Sequence, residues 1–107
     1  MADGRTTVKE LKDIVEKFVH ERKWEPYHRP KNLAVSISIE AAELLEIFQW
    51  EDLDPADTKL NKRLMSEIKD EAADIMIYLL SLANSLQFDL SDAVARKMES
   101  NRKRFKL

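Results

Sequence analysis

The chain of 107 residues contains no cysteine. That excludes a disulfide framework, a thiolate zinc site and a cysteine nucleophile, and it is compatible with cytoplasmic residence. Glycine occurs once and proline three times. Long helices therefore meet few breakers, and a β-rich fold lacks the turn residues it would need. No run approaches the roughly 18 apolar residues of a membrane-spanning helix, so no membrane partner is expected. The opening MADGRTTVKE is polar, without the apolar core of a secretory signal. Net charge is −2, which gives no electrostatic footprint for a nucleic acid polymer.

What is present points to helices. Apolar residues make up 44% of the chain and charged residues 36%, the balance of one globular domain spanning 1–107. Thr7 and Glu10 stand at capping-box spacing and predict a first helix from there to about Lys23 or Trp24. Its stripe is Val8, Leu11, Val15, Phe18 and Arg22, with Ile14 alongside. The stretch WEPYHRPKN, Trp24 to Asn32, reads as an aromatic and basic loop. Pro30 suits the first turn of a second helix running to about Gln49. A third is expected from Asp57 or Thr58 to Gln87, with Leu60, Leu64, Ile68, Ala72, Ile75, Leu79 and Leu82 as its core stripe. A fourth is expected from about Ser91 to Arg104. The fold class is therefore all-α, a four-helix bundle. The second helix and the later half of the third are apolar nearly all round. A chain this short can hardly surround them alone, which implies a homo-oligomer.

The segment IEAAELLEIFQW, Ile39 to Trp50, carries Glu40, Glu43 and Glu46 among apolar residues. Ionised carboxylates are costly to bury without a partner. Glu40 and Glu43 share a helical face, and so do Glu67, Glu71 and Asp74 in the third helix. If those helices pack antiparallel, Glu40, Glu43, Glu71 and Asp74 converge. Four carboxylates without a cation repel one another. All-oxygen ligation suits Mg²⁺, which commonly joins a few carboxylates to substrate phosphates. The plain alternative is a solvated acidic face with Lys59, Lys62 or Lys69 as partners, and spacing alone leaves both readings open. A di-iron bundle would need two Glu-x-x-His motifs. The single match, Glu25 to His28, is interrupted by Pro26.

Around the carboxylates stand groups suited to a nucleotide. Lys97, Asn101 and Arg104 share one face of the basic C-terminal helix, which could hold phosphates or simply complement the helix dipole. Trp24 and Trp50, at helix edges, could stack on a flat ring or pack in an interface.

In combination these residues resemble the MazG-like, all-α nucleoside triphosphate pyrophosphohydrolases, close to their dCTP pyrophosphatase branch. The resemblance rests on Glu40 and Glu43 followed by Glu71 and Asp74. It extends to RKWEPYHRPKNLAVSISIEAAELLEIFQW, DEAADIMIYLLSLA and DLSDAVARKMESNRKRF. It implies an intertwined oligomer, commonly a tetramer built as a dimer of dimers. It implies Mg²⁺ held by Glu40, Glu43, Glu71 and Asp74, which also form the catalytic set. It implies hydrolysis of a (deoxy)nucleoside triphosphate to monophosphate and pyrophosphate, for nucleotide-pool house-cleaning. Trp24, His28, Asn32, Trp50, Tyr78, Lys97, Asn101 and Arg104 would bind substrate, in a site shared between subunits. One departure stands out: vertebrate dCTP pyrophosphatases have a histidine where this chain has Val15, which puts strict dCTP preference in doubt. The alternatives are a non-catalytic helical interaction protein, or the same chemistry on dUTP, modified or alarmone-like nucleotides.

Overall fold

The structure, a computed structural model, describes residues 1–107, and every regular element in it is helical. Helix α1 spans Val8–Glu21. It starts where Thr7 Oγ1 accepts from the Glu10 amide at 3.1 Å and Glu10 Oε1 accepts from the Thr7 amide at 3.3 Å. This is the expected capping box, which satisfies two otherwise orphaned donors. Val15 and Val19 form its buried face, packed on Leu80. Phe18, expected in the core stripe, is exposed instead. The Arg22 guanidinium lies 3.5 Å from its ring centre, and Trp24 meets it edge-on at 5.7 Å.

After a single 3-10 turn, Glu25–Tyr27, helix α2 spans Pro30–Ile47. Pro30 sits in its first turn, where the missing N–H costs nothing. Helix α3 spans only Pro55–Leu60, and α4 runs from Lys62 to Leu86. The expected third helix is thus two, and the chain has five helices rather than four. Asn61 causes the break. It leaves helical geometry at φ −91° and ψ 100°, and its Oδ1 accepts from the Leu64 amide at 3.0 Å. An asparagine side chain competes with the helix backbone in this way and favours a cap over a helix interior. The core stripe consequently begins at Leu64, 2% exposed, not at Leu60, 81% exposed. Ala72, also expected in that stripe, is exposed. Helix α5 spans Leu90–Arg104, capped by Asp89, whose Oδ1 accepts from the Asp92 amide at 2.8 Å.

Helices α1 and α2 pack against α4. Ser85 of α4 donates to the His28 carbonyl at 3.1 Å, ahead of α2, while Glu71 meets Glu43 towards the far end of α2. The two helices therefore run antiparallel. Near the C-terminal end of α4, Asn84 Nδ2 donates to the Lys12 carbonyl at 2.9 Å, and Lys12 Nζ donates to the carbonyl of Phe88, just past the helix, at 3.0 Å. These bonds tie α1 down. Helix α5 projects away; every residue from Ser91 to Ser100 is exposed. No helix of the chain is long and apolar enough to cross a membrane.

The chain buries little by itself. Seven residues are buried, among them Leu33, Leu64 and Leu80, each 2% exposed. Its accessible surface is 8795 Å², against about 6,200 Å² for a compact monomer of this mass. The radius of gyration is 16.2 Å, against about 13 Å for a compact domain. Val35, Ile39 and Leu45 on α2, and Val94 and Met98 on α5, are exposed apolar side chains.

Two substitutions test this packing. Leu33→Ala is expected to lower the unfolding free energy by about 3 kcal/mol, and Asn61→Ala by about 1 kcal/mol through the lost cap. Urea melts at fixed protein concentration measure both. A neutral or stabilising Asn61→Ala would mean that α3 and α4 form one continuous helix.

Candidate metal centre

The antiparallel packing of α2 on α4 brings three carboxylates together. Oxygens of Glu40, Glu43 and Glu71 all lie within 4.8 Å of one another. Glu40 and Glu71 are half-buried, while Glu43 is exposed. Asp74, one turn beyond Glu71, is half-buried and close enough for its charge to act on both Glu40 and Glu43. It does not join the tight group of three.

No lysine or arginine pairs with these glutamates. Lys59, Lys62 and Lys69 form no ion pair with them, and the ion pair beside the group is Arg63 with Glu67, at 3.7 Å. Glu40 Oε2 and Glu71 Oε2 are buried oxygens without a hydrogen-bond donor. Two carboxylate oxygens can bond each other only if one carries a proton. Accordingly the Glu40 carboxyl is held above its ordinary range, first by the adjoining Glu71 carboxyl. The Glu43 carboxyl is raised as well, first by Glu40. Like charges in one place favour the neutral form of some members. A hard divalent cation offers the other remedy, since orphaned carboxylate oxygens are the ligands it takes. The donor set fits such an ion, and the plain solvated face does not account for the buried, unpartnered oxygens.

The group opens into a cleft of about 570 Å³ whose walls include Glu43, Trp50, Arg63, Glu67, Asp70 and Glu71. Trp50, 88% exposed, is part of its wall. Glu46, marked in sequence only as part of the acidic row, also lines it. Arg63 and Asp70 escaped the sequence reading. Their spacing from Glu67, four back and three on, was the available signal, because it puts them on one side of α4.

The remaining expected site residues lie elsewhere in the single chain. Trp24 packs on Phe18. Asn32 Nδ2 donates to the Tyr27 carbonyl at 3.1 Å and so shapes the loop before α2. The His28 carbonyl takes the Ser85 hydroxyl. Tyr78 is half-buried one turn past Asp74. Lys97, Asn101 and Arg104 ride on the projecting α5, and none of the three lines the cleft.

Stability against pH tests the charge state. Groups with raised folded pKa values add stability that is fully present below their ordinary pKa, 4.5 here, and is lost as pH rises through the folded values. Without divalent cations the chain is therefore expected to lose melting temperature in that direction. Glu40→Gln should flatten this loss relative to wild type, and Mg²⁺ should raise the neutral-pH melting temperature of wild type only. Coincident pH profiles for the two proteins would contradict this electrostatic reading.

Known proteins share this arrangement of helices and sequence. The model of the MazG-like family matches residues 35–107. The dCTP pyrophosphatase 1 of Bos taurus is 37% identical over 100 residues, and that of Homo sapiens 36%. In both cases the match covers 92% of this chain, and this chain spans 59% of the relative's length. The crystal structure of a pyrophosphatase from Archaeoglobus fulgidus is 43% identical, with a TM-score of 0.85, covering 100% of this chain and 99% of that one.

Proposed function

Because the chain belongs to the MazG-like family, we propose that it is a Mg²⁺-dependent nucleoside triphosphate pyrophosphohydrolase of nucleotide-pool house-cleaning. Its substrate is dCTP or a related dNTP, cleaved to the monophosphate and pyrophosphate. The observation that carries this reading is the uncompensated group of Glu40, Glu43 and Glu71. The activities of these relatives, dCTP pyrophosphatase and pyrophosphatase, support it.

Glu40, Glu43, Glu71 and Asp74 would hold the ion. When bound, Mg²⁺ offsets the negative charge of both carboxylates and triphosphate and polarises the α-phosphate. The chain's own groups do the rest. Water attacks the α-phosphorus, a new P–O bond forms, and the bond to the oxygen bridging the β-phosphorus breaks with release of pyrophosphate. Glu43 or Glu71 takes the proton from the water as general base. Trp50 in the cleft wall is suited to stack on a sugar or base. Positioning and electrostatics supply most of the acceleration in this class of reaction.

A homotetramer, a dimer of dimers, completes the proposal. The surface in excess of a compact monomer and the exposed apolar residues of α2 and α5 support it. In such an assembly α5 of a neighbouring subunit would supply Lys97, Asn101 and Arg104 as phosphate-binding groups, with Tyr78 near the phosphates and sugar, Trp24 near the base or sugar, and His28 and Asn32 also in the substrate site.

Two measurements test these statements. Pyrophosphate release from a panel of canonical and modified dNTPs and NTPs should appear with Mg²⁺ and vanish with EDTA. Glu43→Gln or Asp74→Asn should keep the assembly and lose at least about a hundredfold in kcat; wild-type rates in either would mean the site is misassigned. No release from any nucleotide by a folded oligomer would favour the non-catalytic interaction protein instead. Light scattering should give four times the mass of the chain, and a monomer would refute the assembly.

A further inference from the structure

Trp24 is held more firmly than an exposed side chain beside a loop needs to be. At the end of α1 the Trp24 amide donates to the Val19 carbonyl at 3.1 Å, and the Lys23 amide donates to the His20 carbonyl at 3.0 Å. Such a pair of bonds closes a helix C-terminus around one residue in left-handed geometry. An apolar contact between the residue after it and the last turn commonly accompanies the pair. Here the left-handed residue is Lys23, at φ 56°. Glycine usually fills that place, because a Cβ is strained there. The apolar contact is Trp24 on Phe18, ring centres 5.7 Å apart.

A strained backbone persists only where its surroundings fix it. Arg22 folds back over the helix end to do so. Its Nη1 donates to the Phe18 carbonyl at 3.1 Å. Its guanidinium lies 3.5 Å from the Phe18 ring centre and 5.9 Å from that of Trp24. Beyond the turn, the Trp24 carbonyl accepts from the Tyr27 amide at 2.9 Å, and His20 Nδ1 meets Glu25 Oε2 at 3.0 Å. The backbone of Trp24 is thus bonded on both sides, and its indole is braced by a ring and a cation.

The brace does not build the core. Phe18 and Trp24 both remain exposed, and neither belongs to the cluster of Val15, Val19 and Leu80. What the brace restricts is the choice of rotamer at Trp24. An aromatic side chain fixed before binding has less freedom to lose when a ligand stacks on it.

We propose that Phe18 and Arg22 are positioning residues that set the Trp24 indole for stacking on the nucleoside. This rests on the proposed function, in which Trp24 meets the base or sugar. Phe18 and Arg22 act through Trp24 and need not touch substrate. Stacking is the same in the ground state and the transition state, so their effect falls on KM and spares kcat.

The test measures kcat and KM, with Mg²⁺, for the dNTP that wild type turns over best. It compares wild type, Phe18→Leu, Arg22→Gln and Phe18→Tyr, with light scattering for each. Fluorescence anisotropy is read on the same variants combined with Trp50→Phe, which leaves Trp24 as the one tryptophan. Phe18→Leu and Arg22→Gln should each raise KM about fivefold, the worth of one ring–ring or cation–ring contact. Their kcat and assembled mass should stay at the wild-type values, and anisotropy should fall as the indole gains freedom. Phe18→Tyr keeps the ring and should match wild type throughout. Unchanged KM or unchanged anisotropy in Phe18→Leu and Arg22→Gln overturns the inference. So does a fall in kcat with loss of assembled mass, which would make the cluster a subunit contact. These results leave the pyrophosphohydrolase reading standing; inactivity of wild type on every nucleotide would overturn the two together.

Discussion

The mutual repulsion of Glu40, Glu43 and Glu71 is the constraint around which the fold is arranged. Helices α2 and α4 pack antiparallel and thereby force carboxylate oxygens to within 4.8 Å of each other. No lysine or arginine relieves them, and two of the oxygens are buried without donors. A fold selected for stability alone would have no reason to keep that conflict. Apolar residues of similar volume would pack there at lower cost. The conflict becomes useful when a divalent cation is present, because the same oxygens then form its ligand shell.

Polarity along α4 follows from the same packing. Its N-terminal half carries acids that face α2, and its C-terminal half carries Ser81, Asn84 and Ser85, which face α1 and the loop before α2. One rigid helix thus has a charged end and a neutral hydrogen-bonding end. Hydrogen bonds from Asn84 and Ser85 to the backbone at Lys12 and His28 keep the neutral end registered against α1 and the loop. The single chain meanwhile leaves its apolar surface open, with α5 unsupported and most of α2 exposed.

Several features were legible because they are local. The capping box at Thr7 and Glu10, the first-turn Pro30 and the shared faces of Glu40 with Glu43 and of Glu71 with Asp74 follow from spacing alone. The break at Asn61 was harder. Leu60 and Leu64 keep helical spacing across it, so the periodicity runs on while the backbone does not. Asp54 before Pro55, and Asn61 three before Leu64, were the cap signals that periodicity obscured. Val19, rather than Phe18, fills the core because Phe18 is held outside by Arg22 and Trp24. The buried, unpaired hydroxyl of Ser81 lay beyond sequence reasoning: a serine in an apolar helix shows nothing of whether its hydroxyl is satisfied. The resemblance to the MazG-like family supplied what spacing could not, namely a choice between a metal site and a solvated acidic face.

Titration of the chain with Mn²⁺, followed by the electron paramagnetic resonance of the free ion, tests most directly whether the carboxylate group is a cation site. Saturable loss of the free-ion signal is expected in wild type, with competition by Mg²⁺, and should disappear in a folded Glu40→Gln, Glu71→Gln double variant. Equal binding by the double variant, or no binding by wild type, would contradict the account.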